Sequence, residues 1–385
     1  MTLDEFCHAR GVDLAALPAD VDTAIGLDPH DMLLVTGSLA EGLGDARSDV
    51  DLLLITPRAE GRLPTRDEIA LVAGQTVVDV RILRTGWLDE LLARFDEWRR
   101  APWDIVHAAP FDLADRVLLH RLAHARTLWN DASRLAPRPA KEGLARLKLH
   151  VARQMSRTVQ VDLAGHAETG DYESLVFAAQ DLLGHGVDAL VAGYGFSNPH
   201  QKWRPRLLSL LPSDWDASVT LRPESATAVE RVWQLHRAPE RPEARECLEH
   251  ALRVSSFARA MFAWAERRAG LAAPAAVEHA WDRLPVSRAE PPLPYLDFDV
   301  DFAFSDEQVA VGRLNGFGDA LRLSAGEFEL ALLCDGTTTA REAESVLAGR
   351  ADALDLMARL AAAEFVRDAA DLAVSGGRGR SRAAR

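Results

Sequence analysis

Residues Met32 to Thr56 read MLLVTGSLAEGLGDARSDVDLLLIT, and the fold turns on this stretch. The apolar runs Met32–Thr36 and Val50–Thr56 are short and bounded by Gly and Pro signals, which predicts two strands. Residues 76–83, TVVDVRIL, alternate around β-branched side chains and predict a third strand of the same sheet. In the segment 65–73 before that strand, Ile69, Leu71 and Val72 are read as helical spacing. The expectation is an α/β domain with a mixed sheet over residues 1–85.

The residues that carry chemistry sit at the strand ends. Gly37-Ser38 follows the first apolar run, ten residues of connection intervene, and Asp49-Val50-Asp51 opens the second. Side chains on a strand repeat with period two, so Asp49 and Asp51 share a face while Val50 and Leu52 turn into the core. Asp79 shares its face with Val77 and Arg81, opposite Val78, Val80 and Ile82, and can reach the same centre. Three carboxylates are hard oxygen ligands of the kind that suit magnesium together with substrate phosphates. Two such ions can clamp the attacking and leaving oxygens of an in-line phosphoryl displacement. Gly37 leaves room for a triphosphate, and Ser38 can donate its hydroxyl and backbone N–H to a phosphate oxygen. Asp-x-Asp is common as a solvated strand edge and Gly-Ser is common as a turn; a site requires all the parts to coincide in this order, as they do here.

In these residues the chain resembles the DNA polymerase β-like nucleotidyltransferase superfamily, whose signature is an apolar strand, Gly-Ser, a connection, Asp-x-Asp and an acidic residue on a third strand. The first 85 or so residues carry the resemblance. It implies that Gly37 and Ser38 bind a nucleoside triphosphate, preferably ATP, and that Asp49, Asp51 and Asp79 hold the magnesium ions, two being expected. The compact form followed directly by helices looks most like the minimal and antibiotic-modifying members, whose acceptors include small-molecule hydroxyls and proteins.

Residues 86–271 are predicted to form an α-helical domain that closes the site. Leu144, Leu147, Val151, Met155 and Val159 are expected on one buried face, Leu175, Ala178, Leu182 and Leu190 on another, and Leu248, Leu252, Met261 and Trp264 on a third helix. Antibiotic adenylyltransferases bring a carboxylate base to the acceptor from such a domain; Asp171, Glu173 and Asp181 are the candidates here, each also readable as a solvated helix residue. Lys202, followed by Trp203, is expected to neutralise phosphate charge, as is Lys148; an exposed loop lysine is the plainer reading of Lys202. His150 and His166 have no partner at helical ligand spacing and are read as structural or surface histidines rather than metal ligands, so no zinc is expected. Trp203, Trp215, Trp233 and Trp264 are expected to pack in cores or between domains.

Residues 272–300, rich in Ala and Pro, read as a linker, and residues 375–385 as a disordered Gly/Arg tail. Between them, residues 301–374 have strand-like runs to Leu323 and then three short helices, the rhythm of a small winged-helix α+β domain. Its Cys334-Asp335-Gly336-Thr337 turn resembles PqqD-like peptide-recognition domains. That resemblance implies that a precursor peptide's leader is held by strand addition to a sheet edge. A winged helix that dimerises, contacts nucleic acid or simply packs is the other reading. The acidic residues Asp297, Asp299, Asp301 and Asp306 argue against contact with DNA phosphates.

A net charge of −14 on 385 residues argues against a general nucleic-acid binder. Cys7, Cys247 and Cys334 are widely spaced, with no CxxC pair, and fit reduced thiols in the cytoplasm. No run of eighteen apolar residues is present, so no membrane span is expected, and a homodimer is left open. The leading expectation is transfer of a nucleoside monophosphate to a hydroxyl of a peptide or small molecule. The alternative is a catalytically inactive protein of the same fold that recruits a peptide through its C-terminal domain.

Overall fold

The computed structural model describes residues 1–58, 68–103, 107–130, 138–211, 228–240, 243–271, 290–305, 308–315, 320–347 and 351–367. Trp215, Asp306, most of the expected linker and the whole of the expected tail lie outside these residues. The chain divides into two compact units, the first made of Met1–Pro102, Ala109–Leu147 and Ser197–Arg206, the second of Trp103–Ala108, Lys148–Phe196 and Leu207–Arg385.

The first unit opens with two helices, α1 (Leu3–Arg10) and α2 (Leu17–Ile25). The Thr2 hydroxyl accepts from Glu5 N–H while the Glu5 carboxylate accepts from Thr2 N–H, a capping box that fixes where α1 begins. Then come β1 (Met32–Thr36), the single-turn α3 (Gly37–Glu41), β2 (Val50–Thr56), β3 (Glu68–Ala73) and β4 (Thr76–Arg84). Helices α4 (Thr85–Arg100) and α5 (Leu113–His124) and strand β5 (Arg126–Trp129) follow. The five strands form one sheet in the order β3-β4-β2-β1-β5. It is mixed: β2 and β4 run parallel, and the other neighbours run antiparallel. Val50, Leu52, Leu54, Val78 and Val80 pack on one face with Leu3, Phe6 and Val21 of α1 and α2. The alternation that buries these side chains turns Asp51 and Asp79 to the opposite face.

One local expectation is overturned. The described part of segment 65–73 is not helical but is the edge strand β3, joined to β4 by the two-residue turn Gly74-Gln75 with Gly74 at φ +58°. Ile69, Leu71 and Ala73 are half-buried and alternate with exposed neighbours, a period of two. A helical spacing requires Leu71 and Val72 on one face, but Val72 is exposed.

The second unit is a helical middle region with small antiparallel sheets near the C-terminus. Helix α6 (Lys141–Thr169) runs into it from the first unit. It continues with α7 (Tyr172–Gly193), α8 (Arg204–Leu208), which begins in the first unit, α9 (Ala228–His236) and α10 (Ala244–Arg268). Strands β6 (Tyr295–Leu296), β7 (Val300–Ser305), β8 (Gln308–Arg313) and β9 (Leu321–Leu323) precede α11 (Ala325–Leu332), α12 (Ala340–Val346), α13 (Ala353–Ala362) and β10 (Val366–Arg367). β7, β8 and β9 form a three-stranded antiparallel sheet, and β10 pairs with β6. By length and composition α7 could cross a membrane, but 61% of its apolar window is buried inside the protein. Leu175, Ala179, Leu182 and Leu190 form its buried stripe, with Ala179 in the place expected for Ala178.

The buried face of α6 also differs from the expected one. Met155 is exposed and Val151 and Val159 are half-buried, while Ala152, Arg153, Ser156, Gln160 and Leu163 are buried. Arg153 faces inward because two carboxylates await it: its Nη2 lies 2.9 Å from Asp301 and its Nε 3.4 Å from Glu266. Arg157 Nε adds a 2.9 Å bond to Asp301. From α10, the buried Arg259 donates to the carbonyls of Leu296, Asp297, Phe298 and Val300, and Arg267 pairs with Glu329. Asp297 and Asp299 both pair with Arg313. These described acids of the C-terminal segment are therefore engaged within the unit, which removes their weight from the argument against DNA.

Candidate active site

Strand register builds the first part of the site. Thr36 stands opposite Asp51 in the β1–β2 pair, and Asp51 stands opposite Asp79 in the parallel β2–β4 pair. The residue after Thr36 therefore turns over the Asp51 carboxylate. That residue is Gly37, at φ +73°, and a Cβ built on it would lie 1.9 Å from Asp51 Oδ2. Only glycine accommodates both the left-handed backbone and the close approach. Ser38, half-buried, follows in the single turn of α3.

Asp49 lies one residue before β2 and within hydrogen-bonding reach of Asp79. Desolvation comes first in raising the Asp79 carboxyl above the usual carboxylate range, and the charge and hydrogen bond of Asp49 add to it. Burial likewise raises Asp51; the guanidinium of Arg121 opposes that, while Asp49 and Asp79 reinforce it. Arg121 Nη2 donates to Asp51 Oδ1 at 2.9 Å. Lys202 is exposed, with Nζ 5.0 Å from the centre of the Trp203 ring, and its charge also acts to lower Asp51. Gly37, Ser38, Asp49, Asp51, Asp79 and Lys202 all belong to the first unit.

Beside these lies a group that sequence reading missed. Glu41 at the end of α3 meets His120 and His124 of α5, with His120 Nε2 3.0 Å from Glu41 Oε2. Asn198 donates to the same Oε2 at 2.7 Å, and His120 Nδ1 lies 2.9 Å from Ser197 Oγ. Burial would raise Glu41, but His120, His124 and Asn198 outweigh it and hold the carboxyl below its usual range. Burial, then the neighbouring His120, pushes His124 down to about 4. His120 and His124 are spaced i, i+4 on one helix, a signal visible in the sequence; Glu41, Arg121 and Asn198 carry none, because only the tertiary fold gathers them.

The remaining candidates lie in the second unit. Asp171 caps α7 by accepting from Ser174 N–H; the Ser174 side chain first, and then this N–H, lower its carboxyl, and Glu173 and Asp181 are exposed on that helix. Lys148 is buried, with Nζ 2.7 Å from Asp188, so its ammonium is held in an internal ion pair and is not presented to a phosphate. His150 is buried, with Nε2 3.0 Å from the His107 carbonyl and its ring edge-on to Trp103, a packing role as expected. Trp264 is buried as expected, whereas Trp233 is 48% exposed. Cys334 is a buried thiol pushed up by desolvation, consistent with a small apolar residue.

Comparison with protein-family models finds no match, and no curated protein matches the chain significantly.

Proposed function

We propose that this chain is a magnesium-dependent nucleotidyltransferase of the DNA polymerase β-like type, moving a nucleoside monophosphate, preferably AMP, from a nucleoside triphosphate to a hydroxyl of a peptide or small molecule. The observation that carries the reading is the approach of Gly37 to Asp51 beside the in-register Asp79 and the neighbouring Asp49. A surface turn would not need a glycine pressed against a carboxylate, nor burial and neighbouring acids that together raise Asp51 and Asp79.

The donor set fits magnesium: Asp49, Asp51 and Asp79 supply only oxygen and carry excess negative charge. Magnesium bound there supplies Lewis-acid stabilisation of the charge that develops on the attacking and leaving oxygens. Gly37 keeps the approach to Asp51 clear of side chain, and Ser38 offers its hydroxyl to a phosphate oxygen. Lys202 and Arg121 lend positive charge to a polyphosphate beside the carboxylates. The acceptor oxygen bonds to the α-phosphorus as the bond to the bridging oxygen of the β-phosphate breaks. Pyrophosphate leaves, and the hydroxyl proton passes to a carboxylate or to water.

One observation favours the inactive alternative: the Arg121 guanidinium already pairs with Asp51 and could stand in for a cation there. Intact mass spectrometry decides between them, with acceptor panels incubated with the protein, magnesium and each nucleoside triphosphate. A mass gain of one nucleoside monophosphate supports transfer; magnesium-dependent triphosphate binding with no gain on any acceptor supports the alternative.

A peptide acceptor is supported by the C-terminal part of the second unit, which we read as the winged-helix, leader-holding domain. In its sheet β7 and β9 are the edges, and the carbonyls of Val300 and Phe302 on β7 already accept from Arg259, Arg153 and Arg157. That leaves β9 as the edge to which an extended peptide would add.

A further inference from the structure

The first unit holds a second group of ligand-bearing side chains that the proposed transfer does not use. Glu41 ends α3, and His120 and His124 stand one turn apart on α5. One ligand atom from each lies within 4.8 Å of the other two. We infer that Glu41, His120 and His124 form a binding site for a zinc-class divalent cation, with a fourth position open to water.

The donor chemistry selects the ion. Two imidazoles and a carboxylate suit zinc and its neighbours in the first transition row, whereas magnesium prefers oxygen alone. Tetrahedral bonds of about 2.1 Å separate ligand atoms by roughly 3.4 Å, so modest side-chain rotations would close this group on an ion. The buried nitrogen gives an independent indication. His120 is only 4% exposed, and its Nε2, 3.0 Å from Glu41 Oε2, lacks the alignment of a hydrogen bond. It is a buried nitrogen aimed into the group, in ion-pair contact with Glu41 but, among the described residues, without an aligned hydrogen bond. The surrounding bonds complete the pattern. Ser197 Oγ at His120 Nδ1 and Asn198 Nδ2 at Glu41 Oε2 are contacts of the kind that orient a metal-bound imidazole and carboxylate.

An ion at this place would tie α3, which starts with the glycine touching Asp51, to α5, which carries the Arg121 that pairs with Asp51. The inference does not rest on the transfer reaction and would stand if no nucleotide were moved.

The test uses the untagged full chain, stripped with a chelator. Cobalt(II) is titrated while the visible ligand-field absorption of a four-coordinate ion is followed, and zinc affinity is then read by competition with a chromophoric chelator. Stoichiometric cobalt binding is expected, displaced by zinc and unaffected by excess magnesium or by Asp49→Ala. His124→Ala is the deciding variant, because this half-buried residue can be truncated without opening the core. It should weaken zinc binding by more than about 100-fold, and Ser197→Ala by about 10-fold, with far-ultraviolet circular dichroism unchanged. Equal zinc affinity in the parent and His124→Ala would overturn the inference. So would the absence of stoichiometric cobalt or zinc binding to the parent, leaving a polar network that only joins α3, α5 and the Ser197-Asn198 segment.

Discussion

A methyl group on Gly37 would stand 1.9 Å from Asp51 Oδ2, on a backbone whose φ of +73° already disfavours an L side chain. Gly37→Ala must therefore displace either the turn or the carboxylate. It should lower stability by about 1–3 kcal/mol in urea unfolding and remove nucleotidyl transfer; a variant as stable and as active as the parent would contradict the close approach. The residues of this centre were legible in sequence for a physical reason. The proposed metal site would draw carboxylates from adjacent strands, and that imposes spacing that survives in one dimension: Gly-Ser after a strand, acids at i and i+2, and an acid in the partner strand. Arg121 was not legible, because it reaches Asp51 from 70 residues away and nothing local marks it. Glu41 was hidden in the same way. The i, i+4 spacing of His120 and His124 is legible in the sequence, but the carboxylate that completes the group lies about 80 residues away in the chain.

At the scale of elements, hydrophobic periodicity located the strands β1, β2 and β4 and the long helices, and it failed where side chains were not sorted by hydrophobicity. β3 is a half-exposed edge strand, so its pattern is diluted and Val72 faces outward at 81% exposure. In α6 the inward face is fixed by ion pairs, and Arg153 is buried where hydrophobic periodicity predicts an aliphatic residue. Asp301 and Glu266 both face Arg153 but differ in kind. The guanidiniums of Arg153 and Arg157 outweigh the burial of Asp301 and hold its carboxyl low. Burial dominates at Glu266 and pushes its carboxyl up, and among the described residues its oxygens have the 3.4 Å ion-pair contact with Arg153 but no hydrogen bond. Asp301→Asn, which leaves a buried guanidinium with a weakened partner, should cost about 3–5 kcal/mol of stability. Glu266→Gln should cost no more than about 1.5 kcal/mol. Urea unfolding of the two variants side by side checks the order, and the reverse order would contradict this account of the ion cluster.

At the scale of the whole molecule, the net charge of −14 is a poor guide to surface recognition. Asp297, Asp299 and Asp301, part of that charge, are paired with arginines of the same unit. The fold class was readable as a mixed sheet, then helices, then a small α+β segment. The return of residues 197–206 to the first unit was not, since it depends on long-range contacts such as Asn198 with Glu41. If the C-terminal sheet receives a peptide, amide hydrogen exchange in β9 should slow when a peptide encoded beside this gene is added, while β10, already paired with β6, should change little. Unaltered exchange in β9 with a peptide that binds would contradict strand addition there. Transfer at the three carboxylates is tested by intact mass spectrometry of acceptors incubated with magnesium, ATP and the parent, Asp49→Ala or Asp51→Ala protein. The account predicts a gain of one AMP with the parent and none with either variant, whose folds are unchanged by circular dichroism; an equal gain with either variant would contradict it.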